Sequence, residues 1–514
     1  MTQPLSELKV PDKFKEWRDG QDEAFDFLTL DPSRVKGCAL PTGVGKSLLA
    51  VAYANWLGRP TVILTSTKAL QRQYMQDFEA IGMREVKGMG NYPCKWWSDP
   101  PNLREQVGCD LGPCLDGDTC DYKIAGCHYY DAIAESRRHP LVITNYSFWF
   151  TQAMVGKEDP LGPRPLVICD EGHAAIDELS RFVGVRFAND EVALGDKTDW
   201  DLGDWIQWAQ ANLPQIQTAL RKTTNLKDNR FLRTMEQRCR KLIDIKDPGN
   251  WCIDMFEARH VKFEPVWAHD YVEKYLVQGA RELVLLSATI RPHHMDLFGF
   301  DSYSFHELPS PFPIERRPII WIPTARVTRR TEEDVWPKII ERIDEIIDAR
   351  PDRKGIIHTV SFKRAQRVLE TSRHRNIMLI NKSRDTSLIV DQFRASPAPR
   401  VLVSPSVDTG FDFPYNIAEY QVIMKCPFPV PTDPLVKARS ANDDKYHRKV
   451  AVTRIVQMAG RVVRAEDDAG ETFIIDDAIH WLITKTKPFF PRWFRDAFTG
   501  SHNPPPPPPA LDRR

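Results

Sequence analysis

Short apolar runs alternate with longer segments of helical periodicity along most of the chain. Each run is apolar at consecutive positions, which is typical of strands buried on both faces of a parallel sheet. The runs lie at 38–40, 61–65, 141–144, 166–169, 283–286, 355–358, 401–404, 421–424 and 472–476. The segment 332–349 carries apolar residues every three to four positions, which predicts a helix that packs on a sheet. The pattern therefore predicts an α/β fold built on parallel sheets.

Two stretches interrupt this alternation. Residues 88–130 are rich in Gly, Pro, Asp and Cys with little periodicity, which indicates an irregular insert. Residues 178–262 have a mostly helical pattern and predict a helical insert. Pro311, Pro313 and Pro318 mark the junction between two sheet-forming halves.

These boundaries predict five units. We expect a first sheet domain at 1–87, 131–177 and 263–312, a cysteine-rich insert at 88–130, a helical insert at 178–262, a second sheet domain at 313–490 and a Pro-rich tail at 491–514. The tail contains consecutive prolines from Pro504 to Pro509, which predict a short polyproline II segment outside any core. Such a segment is either solvated or a docking site for a protein partner.

Composition narrows the class of protein. Of the 514 residues, 42% are hydrophobic and 27% are charged, which excludes a disordered chain and a disulfide-stapled miniprotein. Lys plus Arg (70) balance Asp plus Glu (70), so the net charge indicates neither a nucleic-acid nor a membrane partner. No apolar run approaches the roughly 20 residues of a membrane helix, and the first residues are too polar for a signal peptide. We expect a cytoplasmic protein, associated with the nucleoid if it is bacterial.

The cysteines are unevenly distributed. Five of the ten lie in the insert, and in a reducing compartment such a group favours metal binding or catalysis over disulfides. The candidate metal ligands are Cys94, Cys109, Cys114, Cys120 and Cys127. Four thiolates suit both an iron–sulfur cluster and structural zinc, although zinc sites usually contain C-x2-C pairs that are missing here. Five candidates for four positions leave one spare cysteine that the pattern does not identify.

The segment LPTGVGKS (40–47) follows an apolar strand and precedes a helical run. Gly43 and Gly45 allow backbone N–H groups to surround phosphate oxygens, Lys46 supplies a cation to the β and γ phosphates, and the Ser47 hydroxyl is a candidate Mg²⁺ ligand. The predicted nucleotide-binding residues of this loop are Thr42, Gly43, Val44, Gly45, Lys46 and Ser47. Leu40 stands where the general P-loop pattern has glycine.

Two further segments carry candidate catalytic groups. The run at 166–169 ends in adjacent carboxylates, of which Asp170 is placed to hold Mg²⁺ and Glu171 to orient and deprotonate a water. The segment QMAGRVVR (457–464) carries Arg461 and Arg464 three residues apart, so both side chains lie on one helix face and suit arginine fingers. Taken alone, each segment also fits a solvated strand end or a charged surface helix.

The ordered motifs resemble those of superfamily 2 helicases, and most of all the XPD/DinG group of iron–sulfur helicases. The matching segments are FKEWRDGQ (14–21), LPTGVGKS (40–47), TSTKALQRQ (65–73), DEGH (170–173), SAT (287–289), HTVS (358–361), VDTGFDFP (407–414) and QMAGRVVR (457–464). The resemblance implies two RecA-like domains in tandem, ATP between them and single-stranded nucleic acid across both, and it favours DNA. It also implies that Gln21 reads the adenine, that Gly410 and Asp412 contact the nucleotide and that Gln457 acts with the two arginines. Gly172 departs from the usual alanine of the DEAH box.

The position of the two inserts matches the same group. A cysteine insert between the P-loop and the DEGH segment implies a 4Fe-4S cluster, with zinc as the less favoured occupant. The helical insert at 178–262 implies an arch, shorter than in the larger members, which weakens the expectation of efficient strand separation. Trp96, Trp97, Tyr129 and Tyr130 either contact nucleic acid or pack around the cluster, and the HTVS segment offers no aromatic side chain for base stacking.

The sequence thus predicts an ATP hydrolase of the DNA helicase type. We expect a monomer that uses ATP and Mg²⁺ and moves 5'→3' on single-stranded or forked DNA without contacting a membrane. An ATP-driven translocase or remodeller of DNA or RNA that never separates strands is the main alternative. A nucleic-acid-binding scaffold with a vestigial ATPase is a second one, which the intact Lys46, Asp170, Glu171 and Arg464 disfavour.

Overall fold

A computed structural model provides the three-dimensional structure. It describes residues 3–41, 43–98, 107–115, 120–124, 126–155, 160–223, 225–255, 259–381, 386–407, 411–465 and 467–508. Within these ranges, no helix is both long enough and apolar enough to span a bilayer.

The strands, in chain order, are β1 (Val35–Ala39), β2 (Thr61–Thr65), β3 (Arg84–Glu85), β4 (Leu141–Asn145), β5 (Leu166–Asp170), β6 (Val185–Ala188), β7 (Trp251–Asp254), β8 (His260–Pro265), β9 (Glu282–Ser287), β10 (Ser304–Glu307), β11 (Ile319–Ala325), β12 (Lys354–His358), β13 (Met378–Ile380), β14 (Arg400–Ser404), β15 (Tyr420–Ile423), β16 (Glu471–Asp476) and β17 (Phe498–Gly500).

The α-helices are α1 (Gln21–Leu30), α2 (Lys46–Leu57), α3 (Lys68–Phe78), α4 (Lys95–Ser98), α5 (Asp121–Ile124), α6 (His128–Arg138), α7 (Tyr146–Val155), α8 (Ala175–Val183), α9 (Asn189–Val192), α10 (Leu202–Lys222), α11 (Leu226–Ile243), α12 (Pro292–Met295), α13 (Glu332–Asp348), α14 (Phe362–Thr371), α15 (Ser387–Ala395), α16 (Pro434–Asn442), α17 (Tyr446–Ala459), α18 (Ala478–Thr486) and α19 (Arg492–Ala497).

Two parallel sheets in tandem form the framework. The first has the strand order β10-β1-β9-β5-β2-β4-β3, and the second has the order β13-β14-β12-β15-β16-β11-β17. Every neighbouring pair in both sheets is parallel. Each predicted apolar run lies in or overlaps one of these strands, because consecutive apolar residues bury both faces between helices. The predicted α/β fold is therefore confirmed.

Helix α13 illustrates how the sheets are covered. The predicted helix at 332–349 is observed at Glu332–Asp348. Its stripe of Trp336, Ile339, Ile343 and Ile346 is buried against the second sheet, in one core with the strand residue Ile357. The three- to four-residue spacing places these side chains on one face of the helix.

The insert at 178–262 contains more than the predicted helices. Helices α10 and α11 pack together, and β6, β8 and β7 form a separate antiparallel sheet beside them. These strands have four to six residues, and none is buried at every position. Strand β6 alternates buried with more exposed positions and β7 is half-buried throughout, so these strands lack the continuous apolar run that marks the parallel strands. Trp205 is fully buried between this sheet and the helices.

Both inserts leave and re-enter the first sheet at neighbouring strands. The cysteine-rich insert connects β3 to β4, and these two strands are paired. The second insert lies between β5 and β9, which are also paired. The order of the strands in the sheet is therefore independent of either insert.

The described part of the tail lies against the second sheet domain. Arg350 is fully buried, forms an ion pair with Glu471 at 2.6 Å and donates a hydrogen bond to the carbonyl oxygen of Pro505 at 3.1 Å. Arg353 donates a hydrogen bond to the carbonyl oxygen of Pro508. The sequence did not predict this contact, because a proline run has no periodicity that marks a packing face. Pro509 lies outside the described residues.

Candidate nucleotide-binding and hydrolysis site

The P-loop connects β1 to α2. Its backbone conformation and close packing require glycine at positions 43 and 45. Gly43 and Gly45 adopt φ of +81° and +84°, in the left-handed region. A Cβ atom on Gly43 would lie 2.1 Å from the Phe312 ring and 2.8 Å from the carbonyl oxygen of Arg464, so this turn fits closely against the second domain. Val44 is buried, whereas Lys46 and Ser47 begin α2 and line the cleft described below. Thr42 lies outside the described residues.

Gln21 and Arg18 hold the P-loop from the side of α1. The Gln21 side chain is fully buried, accepts a hydrogen bond from the backbone N–H of Arg18 at 2.8 Å and donates one to the carbonyl oxygen of Gly45 at 3.1 Å. The Arg18 guanidinium donates to the carbonyl oxygen of Gly43 at 2.8 Å. Gln21 thus contacts the loop directly, and its role in reading adenine stays a prediction. Sequence reasoning missed Arg18, although it lies within the FKEWRDGQ segment.

Asp170 and Glu171 lie at the carboxyl end of β5. The Asp170 carboxylate accepts hydrogen bonds from the Tyr74 hydroxyl and from the backbone N–H of Glu171, both at 2.8 Å. Burial and the nearby charge of Glu171 raise the pKa of Asp170 to about 6, against the opposing charge of Lys46. Burial also acts to raise the pKa of Glu171, but the positive charges of Lys46 and Arg461 help to hold it below its usual value. Tyr74 has no local sequence signal, because its role depends on α3 packing over β5.

A hydrogen-bond chain links Glu171 to the second domain through His173. Burial lowers the pKa of His173, so the imidazole is neutral. The side-chain nitrogen of Gln457 lies 2.6 Å from His173 Nε2, and His173 Nδ1 lies 2.7 Å from the Ser287 hydroxyl. Gln457 therefore donates to Nε2, and Nδ1–H donates to Ser287. The Ser287 hydroxyl in turn donates to Glu171 at 3.4 Å.

The two predicted finger arginines share one carboxylate. They follow the end of α17 (Tyr446–Ala459), so the prediction that both lie on one helix face is wrong. Arg461 donates to the Asp412 carboxylate at 3.2 Å and to the carbonyl oxygen of Phe411 at 3.0 Å. The Arg464 guanidinium forms an ion pair with the same carboxylate, and burial lowers the pKa of Arg464 to about 10, so it stays charged near neutral pH. Gly410 lies outside the described residues.

These groups line a single cleft of about 1200 Å³ between the two sheet domains. The predicted site residues that line it are Gly43, Gly45, Lys46, Ser47, Asp170, Glu171, Asp412, Gln457, Arg461 and Arg464. Parallel strands end at the same edge of a sheet, which is why loops far apart in sequence meet here. The cleft therefore contains the cation, carboxylate and guanidinium groups that phosphoryl transfer requires.

The cysteine side chains of the insert lie near one another. Cys109 and Cys127 have sulfur atoms 3.9 Å apart, and a Cβ atom on Gly112 would lie 3.4 Å from the sulfur atoms of both Cys94 and Cys114. Burial raises the pKa of the Cys109 thiol, and Cys127, Cys94 and Cys114 raise it further. Among the described residues, however, no three His, Cys, Asp or Glu side chains are arranged as metal ligands. The thiol donors thus fit an iron–sulfur cluster in type and proximity, while the ligand arrangement itself is not formed.

Aromatic side chains surround these thiols. Tyr129 is buried, and its ring centroid lies 5.2 Å from that of Tyr130. Trp97 donates from its indole nitrogen to the carbonyl oxygen of Leu111 at 2.9 Å. Trp96 is 42% exposed and is free to meet a ligand from solvent. Tyr129 and Trp97 therefore pack around the thiols, which is one of the two predicted alternatives. Contact with nucleic acid stays a prediction for Trp96.

Comparisons with known proteins match this picture. Residues 343–497 match the family described as a helicase C-terminal domain. The chain is 23% identical over 259 residues to the ATP-dependent DNA helicase YoaA of Escherichia coli, covering 47% of this chain and 40% of YoaA. It is 21% identical over 244 residues to the ATP-dependent DNA helicase DinG of Photobacterium profundum, covering 43% and 35%. The chain spans two fifths or less of the length of these relatives.

Solved structures agree on the fold. An XPD helicase structure superposes with a TM-score of 0.62 at 13% identity, covering 94% of this chain and 98% of its own. S. tokodaii Xpd4 superposes with a TM-score of 0.58 at 11% identity, covering 94% and 100%. The tandem RecA-like fold and the resemblance to the XPD/DinG group are both confirmed.

Proposed function

We propose that this chain, which is similar to the XPD/DinG group of superfamily 2 helicases, is an ATP-dependent DNA helicase that moves 5'→3' along a single strand and separates duplex DNA. The observation that carries the proposal is the cleft in which Lys46 and Glu171 of the first domain face Arg461 and Arg464 of the second. A site divided between two domains lets ATP binding and release drive their relative motion. The protein acts as a monomer in the cytoplasm, on single-stranded or forked DNA.

The chemistry follows from the side chains of the cleft. The P-loop amides and Lys46 bind the β and γ phosphates, and Ser47 and Asp170 would hold Mg²⁺, which would supply positive charge against the phosphates. Asp170 has acceptor capacity left for this, because a carboxylate offers about four lone-pair sites and two are used. Glu171 orients and deprotonates the attacking water. Arg461 and Arg464 stabilise the charge that develops on the γ phosphate.

Adjacent groups assist the same step. Gln457 holds His173, which is linked through Ser287 to Glu171, so the general base is oriented by both domains. Gln21 reads the adenine edge, and the main chain at Gly410 together with Asp412 completes the nucleotide contacts. The roles of Gln21 and Gly410 rest on the motif resemblance, because the Gln21 amide is bonded to Arg18 and Gly45 and Gly410 lies outside the described residues.

One aromatic residue supports strand binding in the second domain. Phe362 is the first residue of α14, directly after the HTVS segment, and is 40% exposed. An exposed ring at the carboxyl edge of a sheet is a platform on which a base can stack, and the N-terminus of α14 beside it favours phosphate. Sequence reasoning stopped at Ser361 and missed it. We propose that Phe362 stacks on a base of the bound strand.

The cysteine insert completes the proposal. Four of Cys94, Cys109, Cys114, Cys120 and Cys127 would hold a 4Fe-4S cluster through their thiolates. Such a cluster would supply a covalent framework for an insert whose described elements before α6 are turns and helices of three or four residues. The sulfur proximity around Gly112 supports this proposal over a set of isolated thiols.

The deciding experiment measures ATP-driven displacement of a labelled strand from duplexes that carry a 5' or a 3' single-stranded tail. Displacement from the 5'-tailed duplex alone is the expected result, and the Lys46→Ala variant serves as the inactive control. Displacement from the 3' tail alone would reverse the proposed polarity. Strand-stimulated ATP hydrolysis without displacement of either duplex would favour the translocase alternative.

A further inference from the structure

Arg439 is a buried charge on the surface where the second domain meets the first. It lies on α16 and is 8% exposed. Its Nε donates to the carbonyl oxygen of Val266 at 2.8 Å, and a terminal nitrogen donates to the Ser180 hydroxyl at 3.3 Å. Both acceptors belong to the half of the chain that precedes the domain junction, so the guanidinium bridges the two halves.

The remaining surface of the guanidinium is enclosed by aromatic rings. The Arg439 guanidinium carbon lies 5.5 Å from the centroid of Trp267, which follows β8, and 5.7 Å from that of Tyr446, which begins α17. The two rings meet edge to face, and the Tyr446 hydroxyl accepts a further hydrogen bond from Arg439 at 3.1 Å. Planar guanidinium groups suit such stacked sites, whereas an ammonium does not reproduce the divergent hydrogen bonds.

Two partners of Arg439 lie on the helix that follows the DEGH segment. Asp177 and Ser180 are three residues apart on α8, which places them on one helix face, and His173 precedes α8 in a 3-10 turn at Gly172–Ala174. The Asp177 carboxylate lies 3.7 Å from the Arg439 guanidinium, but Asp177 is largely exposed, so this ion pair contributes little compared with the buried hydrogen bonds. The second domain therefore contacts this segment twice, through Gln457 at His173 and through Arg439 at Ser180.

We propose that Arg439 is a positioning residue that anchors the second domain to α8 and serves as the pivot for closure of the nucleotide cleft. A pivot at Arg439 keeps the hydrogen bonds of its guanidinium to Val266, Ser180 and Tyr446 while Arg461 and Arg464 move relative to the P-loop. The same anchor holds α17 beside α8, so that Gln457 meets His173 and Glu171 is aligned when the cleft is closed. This inference rests on the proposed ATP-driven motion.

The first test compares Arg439→Ala with the wild type in steady-state ATP hydrolysis with single-stranded DNA. Because the hydrogen bonds of Arg439 go to Val266, Ser180 and Tyr446, nucleotide affinity stays unchanged in this variant, while kcat falls by about tenfold to a hundredfold through misalignment. Arg439→Lys gives an intermediate kcat, because lysine keeps the positive charge but cannot form the divergent hydrogen bonds of the guanidinium. Arg448→Ala is the matched control, because Arg448 of α17 pairs with Asp444, four residues earlier in the same domain, at 3.2 Å, and it behaves as the wild type.

Two further measurements separate anchoring from general destabilisation. Adding Ser180→Ala to Arg439→Ala causes no further loss of kcat, because the two side chains act through one contact. Hydrogen exchange of backbone amides rises in α8 and α16 of Arg439→Ala, with both parallel sheets unchanged. If hydrogen exchange also rises in the sheets, Arg439→Ala is destabilised as a whole. The kcat values of Arg439→Lys and Ser180→Ala then decide between anchoring and destabilisation, and wild-type kcat in both variants overturns the pivot.

The outcomes distinguish this inference from the proposed function. Absence of ATP hydrolysis in the wild type contradicts the proposed function. In that case, hydrogen exchange of the α8 amides in Arg439→Ala still decides whether Arg439 anchors the second domain to α8. A wild-type protein with strand-stimulated hydrolysis that is fully retained in Arg439→Ala, with unchanged exchange in α8, overturns the inference alone.

Discussion

At the scale of single residues, the most telling contact is the one that Asp412 makes with both finger arginines. Two guanidinium groups share one carboxylate that is half exposed. A γ phosphate carries more charge than a carboxylate and competes for the same donors. Arg461 and Arg464 are therefore held charged and near the P-loop, ready to exchange one anion for another.

This arrangement predicts that Arg464→Ala lowers turnover far more than nucleotide affinity. The arginine acts mainly on the charge of the transition state, so kcat falls by roughly 10³ to 10⁵. Single-turnover hydrolysis and the binding of a fluorescent ATP analogue measure the two quantities. A loss confined to affinity would remove the finger role.

Lys46→Ala predicts the complementary pattern. In the proposed mechanism Lys46 stabilises charge that develops on the phosphates in the transition state, so ATP turnover is abolished. Binding of single-stranded DNA is largely retained, because the P-loop contacts the nucleotide alone. Fluorescence anisotropy with a labelled oligonucleotide, beside an ATPase assay, measures both, and retained hydrolysis contradicts the P-loop assignment.

Site residues that belong to a short sequence motif could be predicted. Site residues that reach the cleft only through packing of the folded chain could not. Lys46, Asp170 and Arg464 stand in short segments whose chemistry is readable from spacing. Tyr74 and Arg18 act on the same site through hydrogen bonds that exist only once α3 and the segment before α1 are packed.

At the scale of elements, burial follows the periodicity of the sequence. Ile343 in α13 is fully buried in the core of the second sheet domain. Truncation to alanine removes apolar contacts and leaves a cavity. The same periodicity made α13 the most predictable helix, whereas the short alternating strands β6, β7 and β8 escaped detection.

We expect Ile343→Ala to lower the free energy of unfolding of the second domain by about 2 to 5 kcal/mol. Glu341→Ala, at an exposed position two residues earlier in the same helix, changes it by about 0.5 kcal/mol or less. Urea unfolding followed by tryptophan fluorescence compares the two variants. Equal effects would contradict the observed packing face.

The cysteine insert predicts a coloured protein. An anaerobic preparation carries about four iron atoms per chain and absorbs visible light. Serine replacement of each of the five cysteines in turn removes iron in four variants and spares it in one, which identifies the spare thiol. A colourless protein with stoichiometric zinc would contradict the iron–sulfur assignment.

At the scale of the whole molecule, buried neutral histidines mark the contact between the domains. His173, His293 and His294 lie near the cleft, and His294 bonds to the Thr453 hydroxyl of the second domain at 3.1 Å. His293 packs on Phe489, and its Nε2 has no hydrogen-bond partner among the described residues. Sequence reasoning could not predict this contact, because it joins segments that no local pattern relates.

This contact predicts acid lability. Burial, Lys449 and Arg291 lower the pKa of His293 from 6.5 to about 3, against the opposing charge of Asp443. Between these values only the unfolded chain binds the proton, so His293 lowers stability by about 1.4 kcal/mol per pH unit as the pH falls below 6.5. Thermal unfolding from pH 7 to 5 therefore shows a shallower fall in Tm for His293→Phe than for the wild type. An equal fall in Tm for both proteins would contradict the lowered pKa of His293.

The joining of each insert to paired strands has an evolutionary consequence. Because the β3–β4 and β5–β9 pairs bring the ends of each insert together, either insert can lengthen, shorten or be exchanged while the sheet and its cleft keep their geometry. The cleft and the inserts are thus free to diverge at different rates. A new substrate geometry is reachable by exchange of one insert alone.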